Sequence, residues 1–188
     1  MHIKSKFDYD YLVSTLKKSG NEVNETYEDV GKKVVFKGTS GRIKEIFDIS
    51  DEFERNFIEA ITQFKPKNIG PYITEKYFML IPGLKEAMGQ LKSDCKETRR
   101  CIMQFPPAHC FQSMQFLLRE NTIHVVCYMR SCNVIKNLPH DLWICSKMAD
   151  IFAKYLEDTT GEHPYPYHSI TMMFGSLHVF KDEVKDVF

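Results

Sequence analysis

Residues 111–130 read FQSMQFLLRENTIHVVCYMR, and this stretch decides the fold class. Two apolar runs rich in β-branched and aromatic residues, 112–118 and 123–130, flank the tetrapeptide RENT. Runs of this length separated by a short polar connection are typical of a β-hairpin. Around the hairpin, strand and helix patterns mix without a regular strand–helix–strand alternation. The sequence therefore predicts the α+β class, with a mixed, mostly antiparallel sheet flanked by helices.

Helices are predicted where apolar residues recur three and four positions apart. These patterns cover residues 9–16, 51–64, 82–94 and 138–156. The polar stretch SGNEVNETYEDVGKK, residues 19–33, is predicted to be a surface loop. A pair of strands is expected to close the domain near the C-terminus. Five strands are predicted outside the hairpin, at 34–38, 43–50, 99–105, 169–175 and 177–180. The last two are the closing pair.

Composition limits the classes of protein to which the chain can belong. With 188 residues and 43% hydrophobic content, it can bury one substantial core, so we expect a single domain over residues 1–188. Its 25 Lys and Arg balance 25 Asp and Glu, which disfavours a nucleic-acid-binding protein. No apolar run approaches the ~18 residues of a membrane span, and the charged N-terminus is unlike a signal peptide. We therefore expect a cytoplasmic protein with no membrane partner.

The six cysteines include no Cys-x-x-Cys pair and have no adjacent histidine cluster. This spacing argues against a metal site and against a disulfide framework. Most of the cysteines are expected to behave as small buried hydrophobic residues. Cys110, just before the apolar run 112–118, has two interpretations: it is a buried sulfur, or a thiolate placed to attack a substrate.

Other polar positions are also open to a structural and a functional interpretation. Arg99–Arg100, before a strand, form either a solvated charge pair or a bidentate anion site. Arg130–Ser131 mark either the end of a strand or a second arm of that site. Asp141 lies where an acidic residue caps a helix without any functional need. His178 follows a glycine turn, where a histidine is either structural or catalytic.

Taken in order, seven segments covering about residues 55–182 resemble motifs of the thymidylate synthase superfamily. The resemblance implies a thymidylate synthase-like fold in which one face of the sheet forms the interface of a homodimer. It also implies transfer of a one-carbon unit from the cofactor 5,10-methylenetetrahydrofolate to C5 of a pyrimidine nucleoside monophosphate. The segments are FIEAITQF (57–64), GPY (70–72), QLKSDCKETRR (90–100), CFQSMQF (110–116), YMRSCN (128–133), LPHDL (138–142) and GSLHVF (175–180).

The resemblance also assigns roles to single residues. Cys110 keeps the family's five-residue distance to Gln115, which makes it the implied nucleophile toward C6 of the pyrimidine. Glu59 and Tyr72 are carried over for general acid–base catalysis. The other implied roles are phosphate binding by Arg130, Ser131 and, across the dimer interface, Arg99 and Arg100; substrate binding by Gln115 and His178; and folate binding by Asn133.

Three positions depart from the family pattern, and Asp141 is the most informative. It replaces an Asn of the pyrimidine-reading motif. Its carboxyl group can accept a hydrogen bond from the exocyclic amine of cytosine and, when protonated, can donate one to N3. Asp at this position resembles the deoxycytidylate hydroxymethylase branch, best known from bacteriophages that modify their cytosine. In addition, Asn133 replaces the family's Asp, and Phe180 replaces a Tyr of the sugar-binding motif.

The expected activity is conversion of dCMP to 5-hydroxymethyl-dCMP, in which water captures an exocyclic methylene group held by Cys110. The long C-terminal segment that closes over folate in the synthases has no counterpart before Phe188, which favours entry of water. A phage-encoded enzyme of this kind is expected in the host cytoplasm. The alternatives are a thymidylate synthase, a dUMP hydroxymethylase and a catalytically inactive nucleotide-binding homologue.

Overall fold

The computed structural model describes residues 1–63, 83, 86–90, 98–161, 163 and 168–185. This part of the chain contains one eight-stranded sheet and the helices that pack against it. Residues 86–90 are also helical. The named helices are α1 (Lys6–Ser19), α2 (Ser40–Phe47), α3 (Asp51–Gln63) and α4 (Leu138–Thr160). The strands are β1 (His2–Ile3), β2 (Asn21–Val23), β3 (Thr26–Val30), β4 (Lys33–Gly38), β5 (Ile102–Gln104), β6 (Phe111–Arg119), β7 (Thr122–Asn133) and β8 (His168–Phe180).

The sheet is mixed and mostly antiparallel, which confirms the α+β class. Its order is β1-β4-β8-β7-β6-β5, and β3 adds the β2–β3 hairpin to the second half of β8. Two pairs are parallel, β1 with β4 and β7 with β8. The connection between β7 and β8 contains α4, because a parallel pair requires a crossover long enough to hold a helix.

The predicted central hairpin is present as β6 and β7, which pair from Arg119–Thr122 back to Phe111–Met129. Its two turn residues, Glu120 and Asn121, have φ of 47° and 59°. Two consecutive residues with positive φ form the turn type whose twist matches that of the flanking strands. The polar turn thus sets the register in which β6 and β7 pair.

Aromatic packing fixes α4 against one face of the sheet and α3 against α4. Phe116 of β6 meets Phe152 of α4 with ring centroids 4.0 Å apart. Phe53 and Phe57 of α3 each contact Trp143 edge-on, with centroids 5.3 Å apart. All five rings are at least nine-tenths buried. Burial of such rings supplies most of the stabilisation that such a layered core needs.

Three details of the sequence interpretation are wrong. Stretch 19–33 is not a loop but contains the β2–β3 hairpin, which is held by pairing with distant β8. Residues 40–47 form α2, not a strand, because Thr39 caps the helix by accepting a hydrogen bond from the backbone N–H of Arg42. The expected closing pair is one continuous strand, β8, which passes straight through Gly175.

Among the helices described, none is long and apolar enough to cross a membrane.

Gly175 is required where β7 and β8 approach closely, so replacing it should weaken the sheet. A Cβ at this position would lie 2.7 Å from the carbonyl oxygen of Arg130. We expect Gly175→Ala to lower the free energy of unfolding by about 1–3 kcal/mol, as overpacking does elsewhere. Urea denaturation measures this change.

Gly89→Ala is the matched control, because Gly89 is exposed in a helical segment and an added Cβ meets no described atom within 4 Å. There, alanine should be neutral or stabilising by up to ~1 kcal/mol. Equal stability of Gly175→Ala and the wild type would contradict the packing argument.

Candidate active site

Cys110 lies immediately before β6, where its thiol is half-buried at the edge of the core. Its Sγ is 3.9 Å from Oγ of Ser131 on β7, and its carbonyl accepts a hydrogen bond of 2.8 Å from the backbone N–H of Arg130. By contrast, four other free cysteines are at most 1% exposed: Cys101, Cys127, Cys132 and Cys145. Of the cysteines described, Cys110 is therefore the one that a substrate can reach.

Asp141 lies in the first turn of α4 and is 1% exposed. Its Oδ2 is 3.5 Å from Sγ of Cys132, the residue that follows Ser131. Burial raises the pKa of Cys132 well above its ordinary value, and the nearby Asp141 and Cys110 raise it further. Cys132 is therefore a neutral thiol that donates to the carboxyl group. The helix cap is Asn137, so Asp141 lies inside α4 and not at its cap.

A row of polar side chains continues from Ser131 across two further strands. Ser131 pairs with Ser176 of β8, and two residues later His178 pairs with Glu28 of β3. The hydroxyl group of Ser176 donates a hydrogen bond to Oε1 of Glu28. Burial lowers the pKa of His178, although Glu28 and Glu183 act in the opposite direction. His178 is therefore a neutral imidazole at pH 7.

Sequence reasoning missed Glu28 because it assigned stretch 19–33 to a surface loop. The signal that could have found it is the β-prone run Thr26–Val30, which lies between turn residues at Asn24 and Gly31 with φ of 52° and 70°.

Asn133 is committed to bonds within the protein. Its Oδ1 accepts from the backbone N–H groups of Ile135 and Lys136, both at 2.9 Å, and its Nδ2 donates to Oε2 of Glu183 at 2.8 Å. Lys136 Nζ lies 2.5 Å from the other oxygen of Glu183. Asn133 is 4% exposed. We call Asn133, Lys136 and Glu183 the clasp, because they tie the segment after β8 to the end of β7.

The residues assigned to phosphate binding fall into two separate groups. Arg130 is exposed beside Cys110, and its guanidinium donates to the carbonyl of Ala108 at 3.4 Å. Arg99 and Arg100 are exposed at the far edge of the sheet, where Nε2 of Gln115 donates to the carbonyl of Arg99 at 2.8 Å.

This second group lies beyond the reach of the Cys110 thiol. Gln115 is five residues along β6 from Cys110, a distance of roughly 16 Å at the usual rise of a strand. Within one chain, Arg99 and Gln115 therefore do not join the polar groups around Cys110.

Of the two residues assigned to acid–base catalysis, only Glu59 is among the described residues. Glu59 is half-buried on α3, two residues after Phe57, which packs against α4. Tyr72 lies outside the described residues. Both roles stay predictions.

The arrangement combines a reachable thiol, a hydroxyl, a buried carboxyl group and a neutral imidazole, with a guanidinium at the rim. Such a set can add a sulfur to an electrophilic carbon, recognise an amine and hold an anion. In the part of the chain that the structure describes, no cluster of three or more His, Cys, Asp and Glu side chains is arranged to hold a metal ion.

No protein family model matches the chain. A search of curated proteins likewise finds no match at a significant level.

Three half-buried histidines make stability depend on pH. Burial lowers the pKa of His124, His140 and His178 below the ordinary value of 6.5. As pH falls through about 6.5, the unfolded chain takes up protons that the folded chain resists, so the free energy of unfolding should fall. Urea denaturation at about pH 7.5 and about pH 5.5 measures the slope.

His140→Gln should reduce this slope, because its ring is packed edge-on against Phe53 at 4.8 Å. His2→Gln, which changes an exposed ring, is the control. A wild-type slope in His140→Gln would show that another group carries the effect.

Proposed function

We propose that the chain is a pyrimidine nucleotide hydroxymethylase that converts dCMP to 5-hydroxymethyl-dCMP. The observation that supports this most directly is the half-exposed Cys110 thiol beside Ser131, with the buried carboxyl group of Asp141 joined to the same place through Cys132. A nucleophile next to a carboxyl group suits a ring that has both an electrophilic carbon and an amine. Cytosine has both, at C6 and N4.

In the proposed reaction, the Cys110 thiolate adds to C6, which removes the C5–C6 double bond and makes C5 nucleophilic. C5 forms a bond to the methylene carbon of the donor, tetrahydrofolate leaves, and a base removes the C5 proton. Water then adds to the exocyclic methylene carbon, and expulsion of Cys110 from C6 restores the ring. The net change converts dCMP, methylenetetrahydrofolate and water into 5-hydroxymethyl-dCMP and tetrahydrofolate.

Asp141 is proposed to choose the base. Its carboxyl group accepts from the N4 amine of cytosine, whereas the O4 of uracil presents only an acceptor at that position. In a buried site, an unmatched polar pair costs roughly 1–3 kcal/mol, which is enough to separate the two bases. The hydrogen bond from Cys132 holds one carboxyl oxygen in place while the base approaches.

The proposed donor, 5,10-methylenetetrahydrofolate, is a second substrate. Asn133 is the residue carried over for it by the family resemblance. Because all of its described hydrogen bonds are made within the protein, direct contact with folate requires the clasp to open. We expect Asn133 to shape this end of the site mainly by holding Glu183.

A homodimer completes the proposed phosphate site. Arg99 and Arg100 cannot reach Cys110 in their own chain, so they can serve it only from a second copy. The sheet face opposite α4 carries exposed apolar side chains, with Ile102, Tyr128 and Met173 each at least 40% exposed. We propose that a twofold axis passes through this face and that each arginine pair serves Arg130 and Ser131 of the other copy.

The first test is release of tritium from [5-³H]dCMP and [5-³H]dUMP, each with methylenetetrahydrofolate. We expect release mainly from dCMP, and a loss of roughly 10³-fold or more in Cys110→Ala. Asp141→Asn should shift the preference toward dUMP by roughly tenfold or more, because an amide can donate to O4. The mass of the product distinguishes a hydroxymethyl from a methyl group.

His109→Ala is the control for Cys110→Ala, because it changes the neighbouring side chain and leaves the thiol. Release mainly from dUMP would favour a synthase or a dUMP hydroxymethylase. No release from either nucleotide, with nucleotide binding intact, would overturn the proposed activity in favour of an inactive binding protein.

Mixing two inactive variants tests the dimer. Cys110→Ala and the double variant Arg99→Ala/Arg100→Ala should each be nearly inactive alone. After exchange of subunits, half of the dimers are mixed and each has one intact site, so about a quarter of the wild-type rate should return. The control is a mixture of Cys110→Ala and Asp141→Ala. Because Cys110 and Asp141 are proposed to act in the same chain, neither site of this mixed dimer is intact, and no activity should return. Recovery there, or none with the arginine variant, would contradict the proposed arrangement.

A further inference from the structure

The polar row that runs from Ser131 to Glu28 has a feature that the proposed chemistry at C5 does not use. Glu28 comes from the β2–β3 hairpin, far in sequence from the other site residues. It reaches the row because Glu28 pairs with His178 and Val30 pairs with Ser176. Neighbouring strands lie about 4.8 Å apart, and Glu28 is offset from Ser131 by two strands and two residues, so the two residues are roughly 12 Å apart. This distance is on the scale of one nucleoside.

The chemistry of Glu28 restricts what it can bind. An ionised carboxylate only accepts hydrogen bonds, and Ser176 already donates to Oε1. Within the described residues, no other hydrogen bond or ion pair is made to Glu28, which is half-exposed. Its negative charge repels a phosphate group. An uncharged hydroxyl group is the remaining part of a nucleotide that donates a hydrogen bond.

The direction of the bound nucleotide follows from the charges at the two ends of the site. Arg130 is at the Cys110 end, beside the carbonyl of Ala108, and attracts the 5′-phosphate. His178 lies one strand away from it on β8, and Glu28 lies two strands away on β3. The base is held between Cys110 and Asp141, which leaves the sugar to face Ser176, Glu28 and His178.

We propose that Glu28 is a substrate-binding residue that accepts a hydrogen bond from the 3′-hydroxyl group of the nucleotide sugar, next to His178. This inference rests on the proposed function. Ser176 orients the carboxylate by donating to one of its oxygens. Glu28 thereby selects nucleotides with an unmodified 3′-hydroxyl over those that lack it.

The test is calorimetric binding of dCMP and 2′,3′-dideoxy-CMP to the wild type, Glu28→Gln and Glu28→Ala. Because the 3′-hydroxyl group would donate a hydrogen bond to the charged Glu28 carboxylate, we expect the wild type to bind dCMP roughly tenfold to a hundredfold more tightly than the dideoxy compound. Glu28→Ala should bring this ratio close to one, by weakening dCMP and leaving the dideoxy compound unchanged. Glu28→Gln, which keeps the shape and an acceptor, should fall between them.

Asp29→Asn is the matched control, because the next side chain on a strand points to the opposite face and Asp29 forms an ion pair with Lys32 at 2.6 Å. It should keep the wild-type ratio. A wild-type ratio in Glu28→Ala, or equal weakening of both ligands, would overturn the role of Glu28. Binding of neither nucleotide by the wild type would instead overturn the proposed function and this inference with it.

Discussion

The parallel pairing of β7 with β8 is the constraint on which the other parts of the site depend. It places Ser131 beside Ser176 and Asn133 beside His178. A slip of one residue would turn every side chain of β8 to the other face of the sheet. The close approach of Gly175 to the carbonyl of Arg130 resists such a slip, because the Cβ of any other residue at this position would lie 2.7 Å from that oxygen.

The same parallel pairing explains where Asp141 lies. Parallel strands require a crossover, and here the crossover contains α4, which begins five residues after β7 ends. The first turns of α4 therefore lie beneath the last residues of β7. Cys132 contacts Asp141 for this reason. The positions of Asp141 and of the polar row from Ser131 to Glu28 thus both follow from the pairing of β7 with β8 and from the helix that connects them.

Burial divides the cysteines into two kinds, and this division separates chemistry from packing. A thiol without access to water has its pKa raised and is inert, as burial dictates for Cys101, whose pKa is raised to about 12. Cys110 differs because it precedes β6 and lies where the strand first enters the core. Position along the strand, and not the local sequence around the cysteine, makes one sulfur reachable.

Local patterns were enough for the elements whose stabilisation is local, and they failed where distant pairing decides. The hairpin β6–β7, α1 and α4 follow from turn residues and apolar periodicity in their own segments. Strand β3 is polar, with Glu28 and Asp29 at its centre, and it is held in the sheet by pairing with β2 on one side and with distant β8 on the other. The motif order therefore predicted Cys110, Ser131 and Asp141 as a group, but it gave no reason to include Glu28. The separation of Arg99 from Cys110 likewise depends on the direction of β6, which sequence spacing does not give.

The asparagine at position 133 has a physical explanation in its neighbours within the chain. Glu183 has a side chain that is 9% exposed, and its two oxygens meet Nδ2 of Asn133 and Nζ of Lys136. An aspartate at position 133 would place a second carboxylate within hydrogen-bonding distance of Glu183, and two such charges in a buried place cannot both stay ionised. The amide of Asn133 removes this repulsion because it can donate to Glu183 while its oxygen still caps the turn at Ile135 and Lys136. Asn133 and Glu183 therefore form one electrostatic unit, in which the asparagine avoids the repulsion that an aspartate at position 133 would create.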